Sequence, residues 1–140
     1  MQCTTAPLKA FVVFSVGEAG LWRPDCSARW PAGKDQSLVL TFRYSREIPA
    51  RAFREAAENF LLKNGVTLTP ALQAFNDRYR DVKDGDAYRL DYQPAQGLTL
   101  SLNGEVLARL DSDTGWLYFA IWLGEQPFNT TLKARLLGRE

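Results

Sequence analysis

Residues 87–110, AYRLDYQPAQGLTLSLNGEVLARL, decide the fold, because their apolar side chains recur at every second position through two chain reversals. Tyr88, Leu90 and Tyr92 share one parity against Arg89 and Asp91, residues 94–97 turn the chain, and Leu98, Leu100 and Leu102 alternate with Thr99 and Ser101. Period-two alternation belongs to a strand with one face in the core, so this stretch is an antiparallel meander. Its other face carries arginine, aspartate, threonine and serine. The second reversal sets the register. A two-residue loop, Asn103-Gly104, pairs Leu102 with Glu105 and then Leu98 with Arg109, mixing leucine and charge on one face. A three-residue loop over 102–104 pairs Ser101 with Glu105, Leu100 with Val106 and Leu98 with Ala108. It also gives Gly104 the left-handed position of a type I turn plus bulge, so the sequence predicts the three-residue loop.

Downstream the period becomes helical. Asp113 is placed to cap a segment over residues 116–123 that is apolar around most of its circumference and ends at Gly124, and such a segment has to be surrounded by protein. Asn129 caps a last helix with Leu132, Leu136 and Leu137 inside and Gly138 at its end. Upstream, Thr69-Pro70 is a cap followed by proline at the first helical position, with Leu72, Phe75 and Tyr79 on the buried side. A longer helix starts after Pro49, repeats Phe53, Ala56, Ala57, Phe60 and Leu61, and stops at Asn64-Gly65. Before it, Leu38, Leu40, Phe42 and Tyr44 alternate with Val39, Thr41 and Arg43 as a strand. Residues 23–35 read as a loop, and Phe11-Val12-Val13-Phe14 as a further buried strand. Strand, strand, two helices, meander and two helices make an α+β domain with helices over one face of an antiparallel sheet.

The whole chain is 140 residues, 46% apolar and 24% charged, with a net charge of +1. That suits one globular domain. Near-neutrality lacks the basic footprint nucleic acid demands, so no nucleic-acid partner is expected. There is no histidine, which removes imidazole-dependent hydrolases and most zinc and iron centres. Asp84/Asp86 and Asp111/Asp113 sit where turns and caps need Asp, without calcium-loop spacing. No metal or cofactor is expected. Cys3 and Cys26 form no CxxC and are expected as free thiols. No run reaches membrane-span length, and the apolar run over residues 10–16 reads as buried strand rather than export signal. The protein is expected to be soluble, cytoplasmic, or periplasmic if an export signal has been removed.

The order of motifs resembles the bacterial chalcone isomerase-like family. The resemblance rests on Leu-Val-Leu-Thr-Phe-Arg-Tyr-Ser-Arg-Glu from Leu38 to Glu47 followed by Ile48-Pro49-Ala50, and on Val82-Lys83-Asp84-Gly85-Asp86. It continues through Leu100-Ser101-Leu102-Asn103-Gly104, Ile121-Trp122-Leu123-Gly124 and the closing run from Leu132 to Gly138. It implies an open-faced β-sandwich, a large antiparallel sheet backed by a layer of helices. The plant enzymes of that superfamily cyclise chalcones without a cofactor in a cleft between sheet and helices, steering the phenolate with an arginine and using threonine, tyrosine and asparagine. Other members bind fatty acids. Here residues 1–10, where the enzymes' arginine would fall, hold no arginine. Val12 stands for their threonine, and Val16-Gly17 stands where relatives often have Val-Tyr. No catalytic residue carries over. The family's first strand is expected to be missing or shortened, exposing an edge that invites self-association.

The candidate ligand residues are Arg43, Tyr44, Arg89, Tyr92 and Trp122. Arg43 and Arg89 would clamp a carboxylate or phenolate with a planar donor fork, or else be solvated strand charges paired across the sheet with Asp91 or Glu105. Tyr44 and Tyr92 suit either a pocket for an amphipathic ligand or the core. Trp122 belongs to a helix that is either buried on the sheet or part of a ligand box. The function expected is a cofactor-free, non-catalytic protein of this fold holding a small hydrophobic or amphipathic molecule, fatty acid or phenolic. The alternatives are an isomerase (intramolecular lyase) using Arg43 or Arg89, and a protein-interaction module.

Overall fold

The computed structural model describes the backbone of residues 2–11, 14–25, 29–31 and 33–138, and the side chains of 16–25, 29–31 and 33–138. Six strands, β1 (Gln2–Phe11), β2 (Phe14–Trp22), β3 (Leu38–Tyr44), β4 (Ala87–Gln93), β5 (Gly97–Leu102) and β6 (Glu105–Leu110), lie in one sheet in chain order. Every neighbouring pair is antiparallel. The helices are α1 (Ala50–Lys63), α2 (Pro70–Asn76), α3 (Ser112–Tyr118), α4 (Ala120–Leu123) and α5 (Thr130–Leu136).

The parity read from the sequence becomes a row of side chains across the sheet. Leu21 faces Leu40, Leu40 faces Leu90 and Leu90 faces Leu100, and all four are at most 1% exposed. Burying each is worth about 1.5–3 kcal/mol. The opposite face leaves Arg43, Arg89 and Arg109 exposed. The helices cover only the leucine side, as the alternation requires. Gly115 lets α3 lie close on β5, since a Cβ there would stand 2.7 Å from the Leu98 Cβ.

The caps at Thr69 and Asn129 form as read, accepting from the Leu72 and Leu132 amides. α1 begins after Pro49 and is capped at Asn64. Other expectations are corrected. Phe11-Val12-Val13-Phe14 is not one strand: Phe11 ends β1, Phe14 begins β2, and the two face each other, while Val12 and Val13 lie outside the described residues. β1 is ten residues long and lies at the sheet edge. Asp111, not Asp113, caps α3, its carboxylate accepting from the Thr114 amide at 2.8 Å. Asp113 falls in the first turn, where it pairs with Lys34. The segment over residues 116–123 divides at Phe119, whose amide bonds three residues back to the Trp116 carbonyl and tightens the turn. The side chains of Cys3 and Cys26 lie outside the described residues.

The Asn103-Gly104 hairpin departs most instructively. Leu102 pairs with Glu105 and Ser101 with Val106, so the loop has two residues, both with positive φ: 50° at Asn103 and 87° at Gly104. This is the backbone of a type I′ turn. The register then shifts, Leu100 facing Ala108 and Leu98 facing Leu110. Leu107 is the extra residue of a bulge, and it is buried, while Val106 stays exposed. A bulge beyond the turn restores the parity that the sequence reading assigned to the loop.

Candidate functional site

The cavity between helices and sheet begins with what α1 lacks. The α1 residues that line it include Ala57, which is buried, Ala56, which is half-buried, and Ala52, which is exposed; all are short side chains beside a sheet that contributes Phe42, Tyr44 and Tyr88. The space they leave is about 220 Å³. An apolar hole of roughly 150 Å³ already accepts a benzene-sized guest and stays dry without one. Ile121 and Trp122 of α4, Phe128, Phe53, Tyr79 and Ile48 also line the cavity. Ile48 is held there by reciprocal backbone hydrogen bonds with Val82, at 3.0 and 2.9 Å.

Among the described residues, no lining side chain carries a charge. The lining side chains that carry a polar atom are Tyr44, Tyr79, Tyr88 and Trp122. Tyr88 donates to the Arg80 carbonyl at 2.7 Å and accepts from the Arg80 amide at 2.8 Å. Tyr79 contacts the Tyr118 hydroxyl at 2.9 Å, and Tyr118 donates to Asn76 Oδ1 at 2.6 Å. Asn76 is fully buried, and its Nδ2 has no hydrogen-bond partner among the described residues. Burial pushes the hydroxyls of Tyr44, Tyr79 and Tyr118 well above the ordinary tyrosine range and raises Tyr88 as well, so all four are neutral at physiological pH. Rings knit the wall: Phe53 stacks on Tyr79 at 5.5 Å, and Phe42 meets Trp122 at 4.9 Å.

Of the five residues expected to bind a ligand, the structure brings Tyr44 and Trp122 to the cavity. Tyr92 is buried elsewhere, its hydroxyl donating to the Lys34 carbonyl and its ring 5.1 Å from Trp116. Arg43 and Arg89 stand exposed on the other face of the sheet; Arg89 pairs with Asp91 at 3.3 Å, and Arg43 lies in register with Glu18. That face follows from their parity opposite Phe42, Tyr44 and Tyr88. Sequence reading missed Phe53, Tyr79 and Phe128 as lining residues. The signal that could have marked α1 was the alanine set at 52, 56 and 57. At Val16-Gly17, Val16 lines the cavity, whereas a Cβ on Gly17 would lie 1.9 Å from the Arg43 carbonyl oxygen. A tyrosine does not fit that position on this backbone. Asp86 is bound into its turn by the Lys83 amide and the Asn103 side chain, both at 2.9 Å. Among the described residues, no helix is long and apolar enough to cross a membrane.

The chain belongs to the chalcone isomerase-like family, whose family model matches residues 8–138. Among solved structures it is similar to the crystal structure of a fatty-acid binding protein from Arabidopsis thaliana, with a TM-score of 0.64 and 19% identity. The alignment covers 96% of this chain and 82% of that one. No curated protein sequence matches it.

Proposed function

We propose that this chain is a non-catalytic binding protein that holds a small amphipathic molecule, of fatty-acid or phenolic type, in the cavity between α1, α4 and the sheet. The observation that carries the reading is a lining of aliphatic and aromatic side chains with, among the described residues, neither a charged group nor an imidazole. Proton transfer at neutral pH needs a group whose pKa lies near the working pH, and the tyrosines here are pushed the other way. An isomerase using Arg43 or Arg89 would need a guanidinium in the cavity, and both stand across the sheet from it. The fatty-acid binding activity named for the Arabidopsis relative agrees with this reading.

Straight-chain amphiphiles of increasing length, titrated against the protein and followed by native mass spectrometry, test it. Each further methylene that enters the cavity contributes about 0.8 kcal/mol. Affinity should therefore rise about fourfold per carbon and level off once the cavity is full. Binding that is absent at every length, or independent of length, would sink the proposal.

A further inference from the structure

Among the described residues, one charged side chain is buried. Arg23 directly follows β2, continues the inward parity of Ala19 and Leu21, and is 4% exposed. Its guanidinium lies 5.4 Å from the centroid of the Trp30 ring. That ring is fixed in turn, because its indole nitrogen donates to the Leu123 carbonyl at the end of α4, at 3.0 Å. Among the described residues no ion pair holds the guanidinium, and its Nη2 is sealed from solvent without a hydrogen-bond partner. Burial lowers the Arg23 pKa from its ordinary value, and the exposed Asp25 carboxylate, two residues on, acts the other way. A guanidinium nevertheless stays charged in a protein.

A buried charge is costly unless it is paired and hydrogen-bonded. The contact with the Trp30 ring offsets only part of that cost. A ring over the guanidinium covers its face and leaves the N–H donors in its plane. That planar fork is the geometry that takes two oxygens of one carboxylate or phosphate group. Pro24 and Asp25 beside it in the chain are exposed, so the guanidinium lies just beneath the surface, within reach of a small ion.

We propose that Arg23 is the protein's half of an anion site, completed when the oxygens of a small carboxylate or phosphate group reach its free edge beside Trp30. The site is separate from the cavity under α1, whose lining includes neither Arg23 nor Trp30.

Thermal unfolding of the whole chain in Tris chloride, with sodium phosphate, sodium acetate or further sodium chloride added at matched ionic strength, tests the site. An oxyanion that fits, at ten times its dissociation constant, should raise the Tm by about 5 °C, and chloride should not. A response to phosphate alone or to acetate alone tells which oxyanion the site takes, and either supports it. Arg23→Met removes the charge and keeps a long apolar side chain. It should raise the Tm in Tris chloride, since the unpaired charge is gone, and abolish the oxyanion response. Arg23→Lys keeps the charge without the fork and should weaken the oxyanion at least tenfold, the weight of one charge-assisted hydrogen bond. Equal shifts in the unsubstituted chain and in Arg23→Met, or no shift with either oxyanion, would overturn the anion site. So would a lower Tm for Arg23→Met in Tris chloride, because the ring contact would then suffice to hold the charge. Methyl decanoate should bind the unsubstituted chain and Arg23→Met equally, and a difference would overturn the separation of the two sites. If that ester binds neither, the cavity reading fails while the oxyanion response still decides this one.

Discussion

Replacing Ala56 with leucine tests whether the space under α1 is real, empty and used. Ala56 sits in the middle of the 14-residue α1 and lines the cavity. The substitution adds three carbons, which at about 0.8 kcal/mol per buried methylene would contribute about 2.4 kcal/mol. Holding the leucine in one rotamer costs about 0.5–1 kcal/mol, leaving a net stabilisation of about 1.5 kcal/mol. For a chain of this length that corresponds to a Tm rise of about 5 °C. The leucine occupies volume that a ligand would otherwise use, so affinity for a ligand that fills the cavity should fall on the order of fiftyfold. Thermal unfolding by circular dichroism and titration of the same sample measure both quantities. In an already filled core the same substitution overpacks and destabilises by about 1–3 kcal/mol. A lowered Tm with unchanged binding would therefore refute the claim that α1 roofs an open cavity.

Two further outcomes are expected. Because burial raises the folded-state pKa of Tyr44, Tyr79 and Tyr118, their contribution is complete below the unfolded tyrosine pKa of about 10 and is lost as the pH rises above it. Stability should thus fall above about pH 10, with tyrosinate absorbance appearing together with unfolding; tyrosinate formed reversibly in an intact fold would contradict this. Gly104→Ala should cost about 1 kcal/mol by urea denaturation, because the cost is the left-handed backbone alone: φ is 87° and nothing lies within 4 Å of the added Cβ. A neutral result would show that the turn relaxes to another type.

Wherever a residue's environment depends on its near neighbours in the chain, the sequence by itself determined it. Leu90 and Leu100 had to share a face because strand side chains alternate, and Thr69 and Asn129 had to cap because their oxygens reach the amide three residues on. The order of elements and the side of the sheet the helices would cover followed from the same local rules. The family resemblance rests on these same stretches.

Only the tertiary structure decided how distant segments divide the space between them. The β1–β2 reversal is hidden in a continuous apolar run with no glycine, proline or asparagine to mark it. The bulge at Leu107 and the loop at Gly104 exchange one residue between them, and either arrangement satisfies the parity, so alternation alone could not choose. The cavity is the clearest case. Ala56, Phe42 and Trp122 are scattered along the chain, and a void belongs to none of them. It exists because α1 brings alanines to a place where the sheet offers rings and α4 supplies one more. Its emptiness is a difference between the volume enclosed by packed layers and the volume of the side chains within them, and no local pattern of residues carries that difference.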